Sequence, residues 1–142
     1  MYFIFKKLHK KVVNRKRKSK SISRAIKSFR KNSDKEYKEL KEKARVIIHD
    51  RLQNYNDYYN FSYNKVAIRN QKSRWGSCSA KKNLNFNYRL VLLDTELLDY
   101  VVVHELCHLE QMNHSQNFWD LVAKTIPDYE IRKTLLLKVK LI

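Results

Sequence analysis

The sequence of 142 residues is poor in residues that break or cross-link a chain, with one glycine, one proline and two cysteines. Cys78 and Cys107 have no CxxC spacing, which excludes a disulfide-stapled scaffold and predicts free thiols in a reducing compartment. No apolar run reaches the roughly 18 residues of a membrane span, and the apolar stretch 1–5 is too short for a signal peptide. We therefore expect a cytoplasmic protein without membrane insertion.

Acidic residues are absent from the first 33 positions, which hold 13 of the 31 Lys and Arg. The other 109 residues carry 18 bases and 14 acids, so most of the net charge of +17 lies in residues 1–33. We interpret 1–33 as a flexible basic arm that could bind nucleic acid through its phosphates. A solvated tail without a partner and an organelle transit peptide are the alternatives. Residues 34–142 are predicted to form the one catalytic domain.

The spacing of apolar residues predicts four helices, the first over about 34–57 and the second apolar around more than half of its circumference. The second helix must therefore be buried. The predicted helix starts are a capping box of Ser33 and Glu36, then Asp94 or Thr95, then Ser115, and finally Pro127 in a first turn.

Two segments, Val66–Ile68 and Leu84–Leu90, alternate apolar and polar residues and predict strands paired as a hairpin. The loop between them contains Gly76, which is predicted to take a positive φ in a tight turn. Strands followed by several helices indicate an α+β fold with a small antiparallel sheet packed on the helices.

A second pattern lies inside the buried helix, where His104 and His108 stand four residues apart. At 3.6 residues per turn both imidazoles lie on one helix face and can share a metal ion, for which zinc suits the ligand type. Glu105 follows the first histidine, and its carboxylate can take a proton from a metal-activated water. Burying three such groups in an apolar helix is costly without a shared purpose.

A catalytic zinc usually has a third protein ligand, and His114 is the natural candidate. On an unbroken helix, His114 would lie about 120° away from the face that carries His108, so the helix must end between them. Asn113 is predicted to supply a left-handed residue at this end, because asparagine tolerates positive φ.

The segment HELCHLEQMNHSQNFW, residues 104–119, resembles the metal-binding motif of the YgjP-like metallopeptidase domain family, which is related to the SprT and WLM type zinc proteases. Residues 69–93, RNQKSRWGSCSAKKNLNFNYRLVLL, resemble a second signature of that family. The resemblance implies a zincin-like fold with zinc held by His104, His108 and His114 and with Glu105 at the catalytic position.

Arg69, Arg74 and Arg89 flank the predicted hairpin and are candidates for binding a substrate carboxylate or phosphate, although structural ion pairing fits them equally. Glu110 is a candidate partner for the N–H of a metal-bound imidazole. The leading functional hypothesis is a zinc metallopeptidase acting on peptides or proteins. The alternatives are a metal-dependent nucleotide pyrophosphohydrolase and a nucleic-acid-associated protein that binds through its arm.

Overall fold

The computed structural model describes residues 34–141, of which residues 34–59 form the first helix, α1. Its inner face carries Ala44, Ile48 and Leu52, which are fully buried. α1 ends where Asn60 adopts a φ of 55°, a left-handed conformation that asparagine tolerates. The helix predicted over about 34–57 is confirmed, whereas Ser33 of the predicted capping box and the arm 1–33 lie outside the described residues. The packing described below lies within the compact unit Tyr37–Ile142.

Three short strands follow α1: β1 is Lys65–Arg69, β2 is Gly76–Cys78 and β3 is Asn83–Asn87. They form one sheet in the order β1–β3–β2, so β3 is central and β2 is an edge strand. β1 is parallel to β3, and β2 is antiparallel to β3. Leu84 and Phe86 of β3 point into the core and are fully buried.

The predicted hairpin of Val66–Ile68 with Leu84–Leu90 is wrong in its direction and its turn. The two segments are neighbours but run parallel, because their connection contains β2, which reverses the chain before β3 begins. The tight bend lies at Lys82, with a φ of 57°, and Gly76 is a strand residue without a positive φ. The second predicted strand ends early, since the chain after β3 forms a 3₁₀ helix.

Three further helices complete the described chain: α2 is Thr95–Cys107, α3 is Gln116–Ala123 and α4 is Tyr129–Lys138. Asp94 and Ser115 are the N-cap residues of α2 and α3, as predicted. α4 begins two residues after Pro127, and Asp128 is its N-cap. α2 contacts β2, β3, α3 and α4, which confirms that it is a buried helix. The α+β class is confirmed with a mixed sheet in place of the antiparallel one.

None of the helices in the described part of the chain is both long and apolar enough to cross a membrane.

A buried charge fixes α2 against α1. The Asp99 carboxylate is 5% exposed and accepts hydrogen bonds from the Arg51 guanidinium, with Nε at 2.6 Å, and from the Tyr55 hydroxyl at 3.0 Å. The second Arg51 contact, from Nη2 to Asp99 Oδ2, makes the pair bidentate. Bidentate pairing offsets the cost of burying the carboxylate, so the network sets the position of α2 relative to α1.

Replacing Asp99 with Ala is expected to lower the free energy of unfolding by about 2–3 kcal/mol, because charge-assisted hydrogen bonds are lost and Arg51 is left with a partly buried charge. Urea denaturation measures the change. Asp57→Ala, which removes an exposed carboxylate from α1, is the matched control and is expected to change stability by less than about 0.5 kcal/mol. Equal midpoints for the two variants would contradict a stabilising role for the network.

Candidate active site

The site is built on the last turn of α2, where the apolar core meets the solvent. His104 and His108 lie one turn apart, and α2 ends at Cys107, so His108 occupies the C-cap position. The helix therefore ends before His114, as a metal site shared by the three histidines would require. The predicted left-handed residue is wrong: Asn113 has no positive φ, and its side-chain oxygen instead accepts a hydrogen bond from the backbone N–H of Ser115 at 3.4 Å.

Three imidazole nitrogens converge at this turn. His104 Nε2 lies 3.2 Å from His108 Nε2 and 3.1 Å from His114 Nε2, and the candidate ligand atoms all lie within 4.8 Å of one another. Zinc–nitrogen bonds of about 2.0–2.1 Å at tetrahedral angles place two ligand nitrogens about 3.3–3.4 Å apart. The two distances from His104 Nε2 are close to that value, and the three side chains could hold one metal ion.

The orientation of His108 is set by a backbone group. Its Nδ1 lies 2.9 Å from the carbonyl oxygen of Gln111. Because a carbonyl oxygen can only accept, Nδ1 is the protonated nitrogen and Nε2 keeps its lone pair toward the other two histidines. The partner of this imidazole is therefore a carbonyl in the turn after α2, and not the carboxylate of Glu110, which is an exposed residue.

The histidine rings surround one aromatic side chain from α3. Phe118 is fully buried, and its ring centroid lies 4.5 Å from that of His108 and 4.9 Å from those of His104 and His114. Trp119 stacks on His114 at 5.6 Å. α3 thus supplies the packing that holds His114 beside the two histidines of α2.

Burial favours the neutral form of the His104 and His108 imidazoles. Desolvation, followed by the neighbouring histidines and Lys133, lowers the pKa of His104 to about 3. Desolvation also lowers the pKa of His108. Neutral imidazole is the form that binds a metal. His104 Nδ1 is buried and finds no hydrogen-bond partner within residues 34–141, so no charged partner there favours protonation of that nitrogen.

Glu105 lies beside this cluster and is 6% exposed. Burial raises the pKa of its carboxyl group to about 8, and the positive charge of Arg74 opposes the shift. A carboxyl group that exchanges its proton near neutral pH is suited to general acid and base chemistry.

Gly76 of β2 makes room for the Glu105 side chain. A Cβ atom at position 76 would lie 2.7 Å from Cγ and 2.7 Å from Oε1 of Glu105, closer than such atoms approach in proteins. The single glycine of the chain is therefore required by close approach and not by a turn. The turn predicted at Gly76 is therefore wrong. Contact between a strand and a helix distant in sequence leaves no local pattern from which it could be predicted.

Buried Asn87 holds the segment that leads into Gly76. Its side-chain amide nitrogen donates to the carbonyl oxygens of Gln71 at 2.7 Å and Arg74 at 3.1 Å, and its backbone N–H donates to the Trp75 carbonyl at 2.8 Å. Asn87 is one of the polar residues of the alternating segment Leu84–Leu90, and it is fully buried. Burial of its amide is possible because the loop carbonyls satisfy it.

A cavity of about 620 Å³ opens beside His104 and Glu105. It lies between the segment 72–76, α2 and the C-terminal part of the described chain. Its lining is mainly apolar, and its charged members besides Glu105 are Lys72, Lys133 and Lys140. The cavity offers access to His104 and Glu105.

The three arginines predicted to bind substrate are not brought together around this cavity. Arg74 is exposed and acts electrostatically on Glu105. Arg69 donates to the Asn85 side chain at 3.4 Å, and Arg89 donates to the Asn70 side chain at 2.8 Å. Their role in substrate binding stays a prediction.

Comparison with known proteins identifies a family whose sequences this chain matches. Residues 3–138 match the family described as YgjP-like, metallopeptidase domain. The structure is similar to the metallopeptidase zymogen abylysin of Pyrococcus abyssi, with a TM-score of 0.56 and 27% identity over 67% of this chain and 99% of that one. It is also similar to the zymogen jannalysin of Methanocaldococcus jannaschii, with a TM-score of 0.52 and 27% identity over 63% and 96% of the two chains. No curated protein sequence matches significantly.

Proposed function

Because the chain belongs to the YgjP-like metallopeptidase domain family, we propose that it hydrolyses peptide bonds with a zinc ion held by His104, His108 and His114 and with Glu105 as general base. The observation that carries this proposal is the convergence of three imidazole nitrogens beside a buried carboxyl group, with Nε2 of His108 and of His114 3.1–3.2 Å from Nε2 of His104.

The donor set favours zinc in a catalytic role. Three neutral imidazoles suit zinc, and three protein ligands are typical of catalytic sites, whereas structural zinc sites use four. When bound, zinc supplies a Lewis acid that polarises the scissile carbonyl and makes water more acidic. The hydrogen bond from His108 to the Gln111 carbonyl keeps the ligand nitrogen of that imidazole unprotonated.

Glu105 transfers a proton during hydrolysis. Its carboxylate accepts a proton from the attacking water and delivers it to the leaving amide nitrogen, so that peptide hydrolysis ends with a free amine and a free carboxylate. A raised pKa lets the carboxyl group hold the proton between these two events. The close contact with Gly76 limits where this side chain can lie.

An extended substrate fits the edge of the sheet. β2 is an edge strand and contacts α2, and Gly76 at its start belongs to the cavity wall. A peptide pairing with an exposed edge gains backbone hydrogen bonds that do not depend on its side chains. This arrangement would align a peptide bond along the helix that carries Glu105.

Zinc content tests the ligand set. Wild-type protein, purified without chelator, is expected to contain about one zinc per chain, as measured by elemental analysis. His114→Ala is expected to lose at least about 100-fold in zinc affinity, because two imidazoles from one helix turn cannot complete the site. His49→Ala, which removes an exposed histidine from α1, is the matched control and should retain the metal. Metal-free wild type, or full zinc in His114→Ala, would contradict the proposed site.

The nature of the substrate is tested in parallel by offering the zinc-loaded protein unfolded protein and nucleoside triphosphates. Turnover of protein alone supports a peptidase, and turnover of nucleotides alone supports the pyrophosphohydrolase alternative. Binding of nucleic acid by residues 1–33 stays a prediction. The family match begins at residue 3 and so includes most of the basic arm.

A further inference from the structure

The lining of the cavity beside Glu105 has a larger excess of basic over acidic residues, in proportion, than residues 34–142 as a whole. Outside residues 1–33 the sequence is nearly balanced, with 18 Lys and Arg against 14 Asp and Glu. Around the cavity the described lining has three lysines, Lys72, Lys133 and Lys140, and Glu105 as its acid. A cleft lined by charges of one sign concentrates ligands of the opposite sign.

One of these lysines is held in place close to the metal ligands. The Lys133 ammonium lies 4.4 Å from the centroid of the Trp119 ring, a cation–π contact. The same indole stacks on Tyr129 at 5.0 Å and on His114 at 5.6 Å. This contact favours one position of the Lys133 ammonium, which lowers the entropy that an ion pair with a ligand would otherwise cost.

The rest of the wall is apolar. Its apolar members come from the segment before β2, from α2 and from the end of the described chain: Trp75, Val101, Leu136, Leu137, Val139 and Leu141. A volume of about 620 Å³ holds a side chain as large as leucine or phenylalanine with its neighbours. Apolar walls with a few placed charges are the usual composition of a selective ligand cavity.

We propose, as an inference that rests on the proposed peptidase function, that this cleft selects acidic peptides in which an apolar residue near the scissile bond is flanked by Asp or Glu. Lys133 is the main determinant of the selection, and Lys72 and Lys140 add to it. The apolar side chain fills the cavity, and the flanking carboxylates pair with the lysines. Basic peptides are disfavoured because they place like charges together.

Binding measured without turnover tests the selection directly. Three fluorescent peptides with the same apolar centre, flanked by Glu, Gln or Lys, are titrated by anisotropy into zinc-loaded Glu105→Gln protein, which leaves the peptides intact. The Glu peptide is expected to bind about three- to fivefold tighter than the Gln peptide and at least about tenfold tighter than the Lys peptide at low salt. The differences should shrink at about 0.5 M salt, because exposed pairs are screened.

The variant Lys133→Met tests whether the preference for acidic peptides comes from Lys133 or from the net positive charge of the whole chain. Methionine keeps an unbranched stem over Trp119 and removes the ammonium. We expect this variant to lose about threefold of the preference for the Glu peptide over the Lys peptide. Lys138→Met, on the same helix but outside the cavity wall, should keep the full preference. A preference that survives Lys133→Met unchanged, or that Lys138→Met reduces equally, overturns the assignment to Lys133.

The ratios of kcat/KM for the three peptides with wild type keep the two proposals distinguishable. Equal hydrolysis of all three peptides, or faster hydrolysis of the Lys peptide, overturns the acidic selectivity and leaves the peptidase function standing. Tight binding of the Glu peptide without hydrolysis of any peptide overturns the peptidase function and leaves a cleft that selects acidic ligands. Equal binding of the three peptides overturns the selectivity itself.

Discussion

Glu105→Gln is expected to reduce kcat for peptide hydrolysis by about 10³-fold, because a positioned general base contributes roughly 10²- to 10⁴-fold. Glutamine has nearly the shape of glutamate, so it can occupy the same space next to Gly76 but cannot accept the proton of the attacking water. Zinc content should stay at the wild-type value, since the candidate metal ligands are the three histidines and do not include Glu105. Steady-state kinetics on a fluorogenic peptide, together with elemental analysis, measures both quantities.

Glu110→Gln is the matched control for this variant. It removes one carboxylate from the same short segment, but residue 110 is exposed and the His108 imidazole is held by the Gln111 carbonyl. Its kcat is expected to remain within about twofold of wild type, as for a surface substitution. Comparable losses in the two variants would show that charge near the site, and not proton transfer by Glu105, limits the reaction.

Gly76→Ala is expected to reduce kcat by about 100-fold while zinc content is retained. The new methyl group would lie 2.7 Å from Glu105 Cγ and Oε1, so the carboxyl group has to move. A displacement of about 1 Å in a catalytic group can cost on the order of 10²-fold in rate. The metal ligands come from α2 and the turn after it, and should be left in place.

Ser77→Ala is the control on the same strand. Adjacent side chains of a strand point to opposite faces, and the Ser77 hydroxyl accepts a hydrogen bond from Asn85 at 3.3 Å. This variant should retain kcat within about threefold. The double variant Gly76→Ala, Glu105→Gln should have nearly the same kcat as Glu105→Gln alone, because both changes act through one carboxyl group. Full additivity would contradict the positioning role of Gly76.

The helices could be predicted because their pattern is local. Apolar residues at helical spacing predicted α1, and apolar residues around more than half of the circumference of the second helix predicted that α2 is buried. Both were confirmed. Asn60, which ends α1 with a positive φ, lies where a polar connector begins. Periodicity did not reveal that Asn87 would be buried, because the loop carbonyls that satisfy it are brought to it by folding.

The sheet is the part that local pattern predicted wrongly. Alternation identifies a strand but carries no information on the direction of its partner. The short β2 has too few residues to show a pattern, and the direction of β1 relative to β3 depends on it. The error about Gly76 has the same origin, since a glycine in a loop-like segment favours a turn unless its distant neighbour is known.

The sequence by itself determined which chemistry is available: two histidines one turn apart, a glutamate between them, a third histidine beyond a helix end, and a family match over residues 3–138. These depend on residue types and short spacings, which a helix turns directly into geometry. Only the tertiary structure decided that Gly76 limits Glu105 and that Lys133 reaches the site through Trp119. Those contacts join residues whose meeting depends on how the elements pack, and packing depends on the whole core at once.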